Sequence, residues 1–237
     1  RIYIYMDIIH GVIFYIFLTI FYCSLDKQIQ NRYHGNYYLL HGISNIFITY
    51  SCLPDLKNTY TDLNNFHNYP VNYVPSIITF SLHSYHIINY FNKLMFDDWL
   101  HHILMCGVAL PIGLSINSGF LLNHSLFFLI GLPGGINYIL LFLSRNKCIE
   151  KLTQKRINNS LNLWIRAPGC ISHSALTIVV YNSHYELIVG YQKYLILCAI
   201  FLTFWNGIYF MEQVVSNYAV QKYKSEENLK LKNLSSS

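Results

Sequence analysis

Two histidines three residues apart, His83 and His86, precede the run Asp97-Asp98-Trp99-Leu100-His101-His102. On a helix, His83 and His86 share a face, and Asn89 and Tyr90 extend it. Asp97 stands four residues before His101, and Asp98 four before His102, so each pair is also adjacent on a helix. A carboxylate beside an imidazole raises its basicity and fixes its tautomer. That arrangement suits a general base acting on a hydroxyl or an amine, and His can itself be the nucleophile. The plainer reading makes Asp97 and Asp98 caps at a helix N-terminus, where the dipole favours negative charge.

The elements that must hold these groups are apolar. The 237-residue chain is 53% hydrophobic and 11% charged. A soluble domain carries roughly 25% charged residues, so an ordinary soluble enzyme is excluded, as is an intrinsically disordered chain. Apolar runs near 20 residues predict membrane-spanning helices over 2–23, 37–53, 73–91, 99–116, 120–143, 164–181 and 194–215. Pro54 is expected to end the second. The 144–163 stretch reads as a basic, Asn-rich loop, and the polar tail 221–237 as lacking fixed structure. In the fifth span, the run from Gly131 to Asn137 includes Pro133 and Gly135 and predicts a kinked, closely packed helix or a break lining a cavity. The six cysteines are scattered without a CxxC pair and read as small buried hydrophobes.

Loop charge orients the chain. With seven spans, thirteen of the sixteen basic residues fall on one side. The positive-inside rule then places the C-terminus in the cytoplasm. The basic residues form no stripe for nucleic acid. A short turn joins the third and fourth spans, so His83, His86, His101 and His102 would line one pocket near the cytoplasmic face. Ionisable groups at that depth are expensive and point to function. Further polar groups placed to line it are Tyr90, Asn123, His124 and Asn206, although a bond to a neighbouring helix is the main alternative for Asn206. His10, His34, His41, His67, His124, His173 and His184 stand alone. Two His clusters fall short of the several His boxes of membrane di-iron enzymes, so no metal is expected.

The paired His101-His102 at the head of a central helix, behind a His- and Tyr-rich span, resembles the TLC family. That family is named for translocating-chain-associated proteins, ceramide synthases and an endoplasmic-reticulum cargo receptor. The resemblance runs from residue 33 to 218. It implies a multi-pass helical protein of the endoplasmic reticulum or another internal membrane, acting on lipids. In the ceramide synthases the paired His takes part in acyl transfer from acyl-CoA to a sphingoid amine, which maps to His101 and His102. Those enzymes also use acids on the following helix, whereas 120–143 contains no Asp or Glu.

The expected fold is therefore all-α: one integral membrane bundle of six to seven helices over 1–220, arranged as a barrel around a lipid-accessible cavity. The expected function is lipid handling, with acyl transfer as its catalytic form. His101 or His102 would be the base, oriented by Asp97 or Asp98. No tightly bound cofactor is expected, and acyl-CoA would be a co-substrate. The alternative is a non-catalytic lipid-binding, trafficking or scaffold protein. Partners would be membrane lipids, other membrane proteins or a second copy.

Overall fold

A computed structural model describes residues 8–116 and 118–235, apart from the side chains of His67, Asp97, Leu187 and Ser235. The start of the first predicted span and the last two residues lie outside this range. The described residues form seven helical rods and no strand. These are α1 (Ile8–Ile29), α2 (Asn36–Thr61), α3 (Val74–Tyr90), α4 (96–115), α5 (Leu121–Arg145), α6 (Lys151–Ser183) and α7 (Gln192–Ser235). By length and composition, α1, α5, α6 and α7 can each cross a membrane, which points to a membrane protein.

The rods alternate in direction. At one end, the His34 backbone N–H donates to Asn146 Oδ1 and Asn146 Nδ2 donates to the His34 carbonyl. At the same end, Asn89 and Tyr90 of α3 donate to the buried Asp26 carboxylate of α1. At the other end, Phe66, Phe120, Leu121 and Val180 form an apolar cluster. Between the ends, Ile48, Ile78, Met105, Leu122, Leu126 and Phe127 bring α2, α3, α4 and α5 into one core. The chief packings are α2 on α5, α6 on α7, and α3 on both α1 and α2.

The α2–α5 contact is close because α5 offers glycine where α2 arrives. A Cβ at Gly134 would stand 2.7 Å from Asn45 Nδ2, and one at Gly135 would stand 3.3 Å from the Ile46 backbone nitrogen. Of the two sequence readings of this run, close packing is the one observed.

Three rods change pitch. α4 widens to π geometry over Ile103–Ala109, α5 over Phe127–Gly131 and α6 over Asn162–Arg166. A proline follows each segment two residues on: Pro111, Pro133 and Pro168. Proline gives no N–H to the turn before it, and its ring collides with the carbonyl four residues back. The preceding turn opens in response. Such π segments are frequent at functional sites.

Three boundary expectations are corrected. α2 does not stop at Pro54 but continues to Thr61, with proline inside it; one missing hydrogen bond is tolerated where neighbouring helices hold both flanks. The 144–163 loop is instead helical from Lys151 and runs on into α6. Its buried face is Gln154, Asn158 and Leu161. That helical period is carried mainly by amides, which an apolar pattern cannot display. The tail is helical through Ser235, with a Lys222–Glu226 ion pair of 3.9 Å one turn apart on its exposed surface.

Candidate functional site

α2 and α5 pack tightly, and the N-terminal end of α4 faces them across a gap. The gap is a cavity of about 240 Å³. α3 supplies His83 and His86, α4 supplies Asp98, His101 and His102, α2 supplies Tyr37, Tyr38 and His41, and α5 supplies Asn137, Tyr138 and Leu141. The sequence-predicted quartet of His83, His86, His101 and His102 thus shares one chamber with Asp98. The cavity lies at the end of the bundle where His34 meets Asn146.

The rings touch one another. His83 Nδ1 lies 3.1 Å from His102 Nδ1, and His102 Nε2 lies 3.1 Å from His86 Nδ1. His102 therefore uses both ring nitrogens. His101 packs against His83 and His102, with ring centroids 5.1 and 5.6 Å away. No hydrogen bond to His101 occurs among the described residues, so its ring is free for a ligand.

Asp98 does more than one thing. Its carboxylate accepts the Met95 backbone N–H at 3.0 Å, which caps α4, and it also lines the cavity. Capping and pocket lining are thus compatible at this residue. Asp97 lies on the first turn of α4; its side chain is outside the described residues.

His41 was missed as a site residue because it stands alone in the sequence. Its Nδ1–H donates to the Tyr37 carbonyl at 2.8 Å. A carbonyl can only accept, so the neutral ring must carry its lone pair on Nε2. His41 packs edge-on to His86 at 5.3 Å and near Tyr138 at 4.9 Å. Tyr37 stacks on His86 at 5.2 Å. The available signal was the four-residue spacing of Tyr37 and His41, which sets both on one helix face.

The other expected lining residues sit elsewhere. The Tyr90 hydroxyl donates to Asp26 and its ring backs His86 at 5.3 Å, so it supports the chamber from behind. Asn123 donates to Asp55 at 2.6 Å and to the Asn72 carbonyl at 2.8 Å. His124 meets the Tyr60 hydroxyl at 3.0 Å and stacks on His173 at 5.4 Å. Asn206 accepts from Arg166 Nη2 at 2.8 Å, and the guanidinium lies 4.3 Å from the Phe210 ring centre. Asn206 and Arg166 join α6 to α7.

The Asn123 contact yields a stability prediction. Asp55 is 2% exposed and Asn123 is fully buried. Asn123→Leu removes the donor and leaves the acid buried, at a cost of about 1–3 kcal/mol. A clear drop in thermal unfolding temperature in detergent is expected. Asp55→Asn, which keeps a polar partner, should cost less.

Among the described residues, no three His, Cys, Asp or Glu side chains converge as metal ligands. The imidazoles spend nitrogens on one another instead of pointing them at a common centre. What the chamber offers is a free ring at His101, a preset lone pair at His41, and a linked trio. These groups can deprotonate a hydroxyl or amine, or attack a carbonyl.

Set against protein-family models, curated proteins and solved structures, the chain finds no match in any of the three.

Proposed function

We propose that the chain is a TLC-like multi-pass membrane protein that transfers an acyl group to a lipid amine or hydroxyl. The observation that carries this reading is the convergence of five imidazoles from three helices on one cavity. Dispersed histidines would have favoured a scaffold. In this reading six or seven of the rods span the membrane as a barrel around the cavity. The membrane is the endoplasmic reticulum or another internal one, and the C-terminus is cytoplasmic. The chamber then opens at the end rich in basic loops, where an anionic acyl-CoA is supplied.

A second cavity supports a lipid substrate. It measures about 170 Å³ and is walled mainly by apolar side chains of α4, α5, α6 and α7, including Met105, Leu110, Leu122 and Leu126. Met105 follows His101 by four residues on α4, so this helix borders both cavities. The acyl carbonyl would sit among the imidazoles with its chain directed toward Met105. His101 or His102 acts as base, and Asp98 supplies the negative charge that the acid-free α5 lacks.

A specific observation also favours the non-catalytic alternative. Among the described residues, the Asp98 carboxylate bonds a backbone N–H and not an imidazole. The deciding experiment uses purified protein in vesicles, given a long-chain acyl-CoA and a sphingoid base. Acyl transfer predicts a new amide. Folded protein that makes none, yet retains lipid through purification, supports the binding reading.

A further inference from the structure

The proposed reaction gives His101 or His102 the role of base. It leaves unexplained why His102 engages a second imidazole through each of its nitrogens. Each contact needs one proton between two nitrogens. A neutral imidazole carries one proton. Three neutral rings and two contacts therefore allow two patterns only.

In the first pattern, His102 Nδ1–H donates to His83 Nδ1 and His86 Nδ1–H donates to His102 Nε2. The outer His83 Nε2 then bears a proton and the outer His86 Nε2 is bare. In the second pattern every proton has moved one place. His83 Nδ1–H donates to His102 Nδ1, His102 Nε2–H donates to His86 Nδ1, and the bare nitrogen is His83 Nε2. Neither outer nitrogen has a hydrogen-bond partner among the described residues. Both rings line the same cavity.

We infer that His83, His102 and His86 form a three-ring proton relay whose two ends serve the two proton transfers of one acyl transfer. This rests on the acyl-transfer reading of the same chamber. In the step, the amine nitrogen forms a bond to the thioester carbonyl carbon and the carbon–sulfur bond breaks. The amine proton passes to His86 Nε2. The His86 Nδ1 proton moves to His102 Nε2, and the His102 Nδ1 proton moves to His83 Nδ1. The His83 Nε2 proton goes to the departing thiolate. One proton enters and one leaves, so the trio remains neutral while its pattern inverts. Exchange with water at the cavity mouth restores the first pattern.

The relay explains why neutral rings suffice in this chamber. A single imidazole base would become a buried cation during the reaction, and taking a charge out of water is costly even with a carboxylate such as Asp98 facing the same cavity. A concerted shift creates none. The relay makes His102 the base acting through its neighbours: His86 is the catalytic end that meets the amine, His83 the end that meets the thiolate, and His102 the link that positions and couples them. His41, His101, Asp98 and Tyr138 also face the chamber, but they lie outside the bonded chain.

Solid-state nitrogen-15 spectra of histidine-labelled protein in bilayers test the chain without any substrate. Rings are assigned by their loss in His83→Asn, His86→Asn and His102→Asn. The relay predicts three neutral rings, with both His102 nitrogens hydrogen-bonded. A His102 ring with one free nitrogen, a cationic ring or a metal-bound ring would overturn it. The second arm is turnover of acyl-CoA and sphingoid base in light and heavy water mixtures. The relay predicts a curved dependence on deuterium fraction in the wild type. It also predicts that His102→Gln lowers kcat roughly 100-fold with KM for the acyl donor unchanged. A straight dependence in the wild type contradicts the relay but not acyl transfer. Linked rings in a folded wild type with no turnover defeat the acyl-transfer reading, and the relay's catalytic use with it.

Discussion

Replacing His101 and His102 together by Ala is expected to lower acyl transfer by about 10²- to 10⁴-fold, while the protein still inserts and stays folded. The two rings do different work. His101 is the free ring of the chamber, packed on His83 at 5.1 Å. His102 holds two neighbours through 3.1 Å contacts. Both side chains border a cavity, so their truncation enlarges an existing space more than it opens a new hole in a packed core. The loss should therefore appear in kcat and not in folded yield. Product formation per folded molecule is the quantity to compare, with elution from a sizing column as the control for folding. Activity retained within tenfold would remove both rings from the mechanism.

The largest stability effect is expected at Gly119, far from the chamber. It sits in the turn before α5 with φ of +51°, and a Cβ there would collide with the Phe66 carbonyl oxygen. The obstacle is backbone, so no side chain can rotate away. Forced overpacking costs about 1–3 kcal/mol, and left-handed backbone adds roughly 1–2 kcal/mol for a residue with a Cβ. Gly190 provides the control. It has φ of +34° with nothing within 4 Å of its Cβ position. Gly190→Ala should therefore cost only the backbone part. In thermal unfolding, Gly119→Ala is expected to fall well below Gly190→Ala. Equal losses would mean that the Phe66 contact does not hold that end of the bundle together.

Much of the helical layout was legible in the sequence, because apolar runs set off by polar turns mark out helices, four of which are long and apolar enough to cross a membrane. The elements that went astray share a cause. The N-terminal third of α6 turns Gln154 and Asn158 inward, and α2 runs through Pro54; in both, tertiary contacts override the local signal. The link between each π segment and a proline two residues later was visible at Pro111 and Pro168 as well as at Pro133. It gains meaning only when the widened turns are seen. At the site, spacing within α3 and α4 was enough to find His83, His86, His101, His102 and Asp98. His41 and Tyr138 come from helices distant in sequence, and spacing within a helix does not say that its polar face meets α3 and α4. Asn123 and His124 lie on the right helix but near its opposite end, where they serve Asp55 and Tyr60.

The central claim is that this chamber performs chemistry on lipids. Its most direct test is a lipid mass comparison of membranes carrying the wild type and the His101→Ala/His102→Ala variant at matched protein levels. The account predicts an acylated lipid class that appears or grows with the wild type and is absent with the variant. Identical lipid profiles from two well-folded proteins would contradict it.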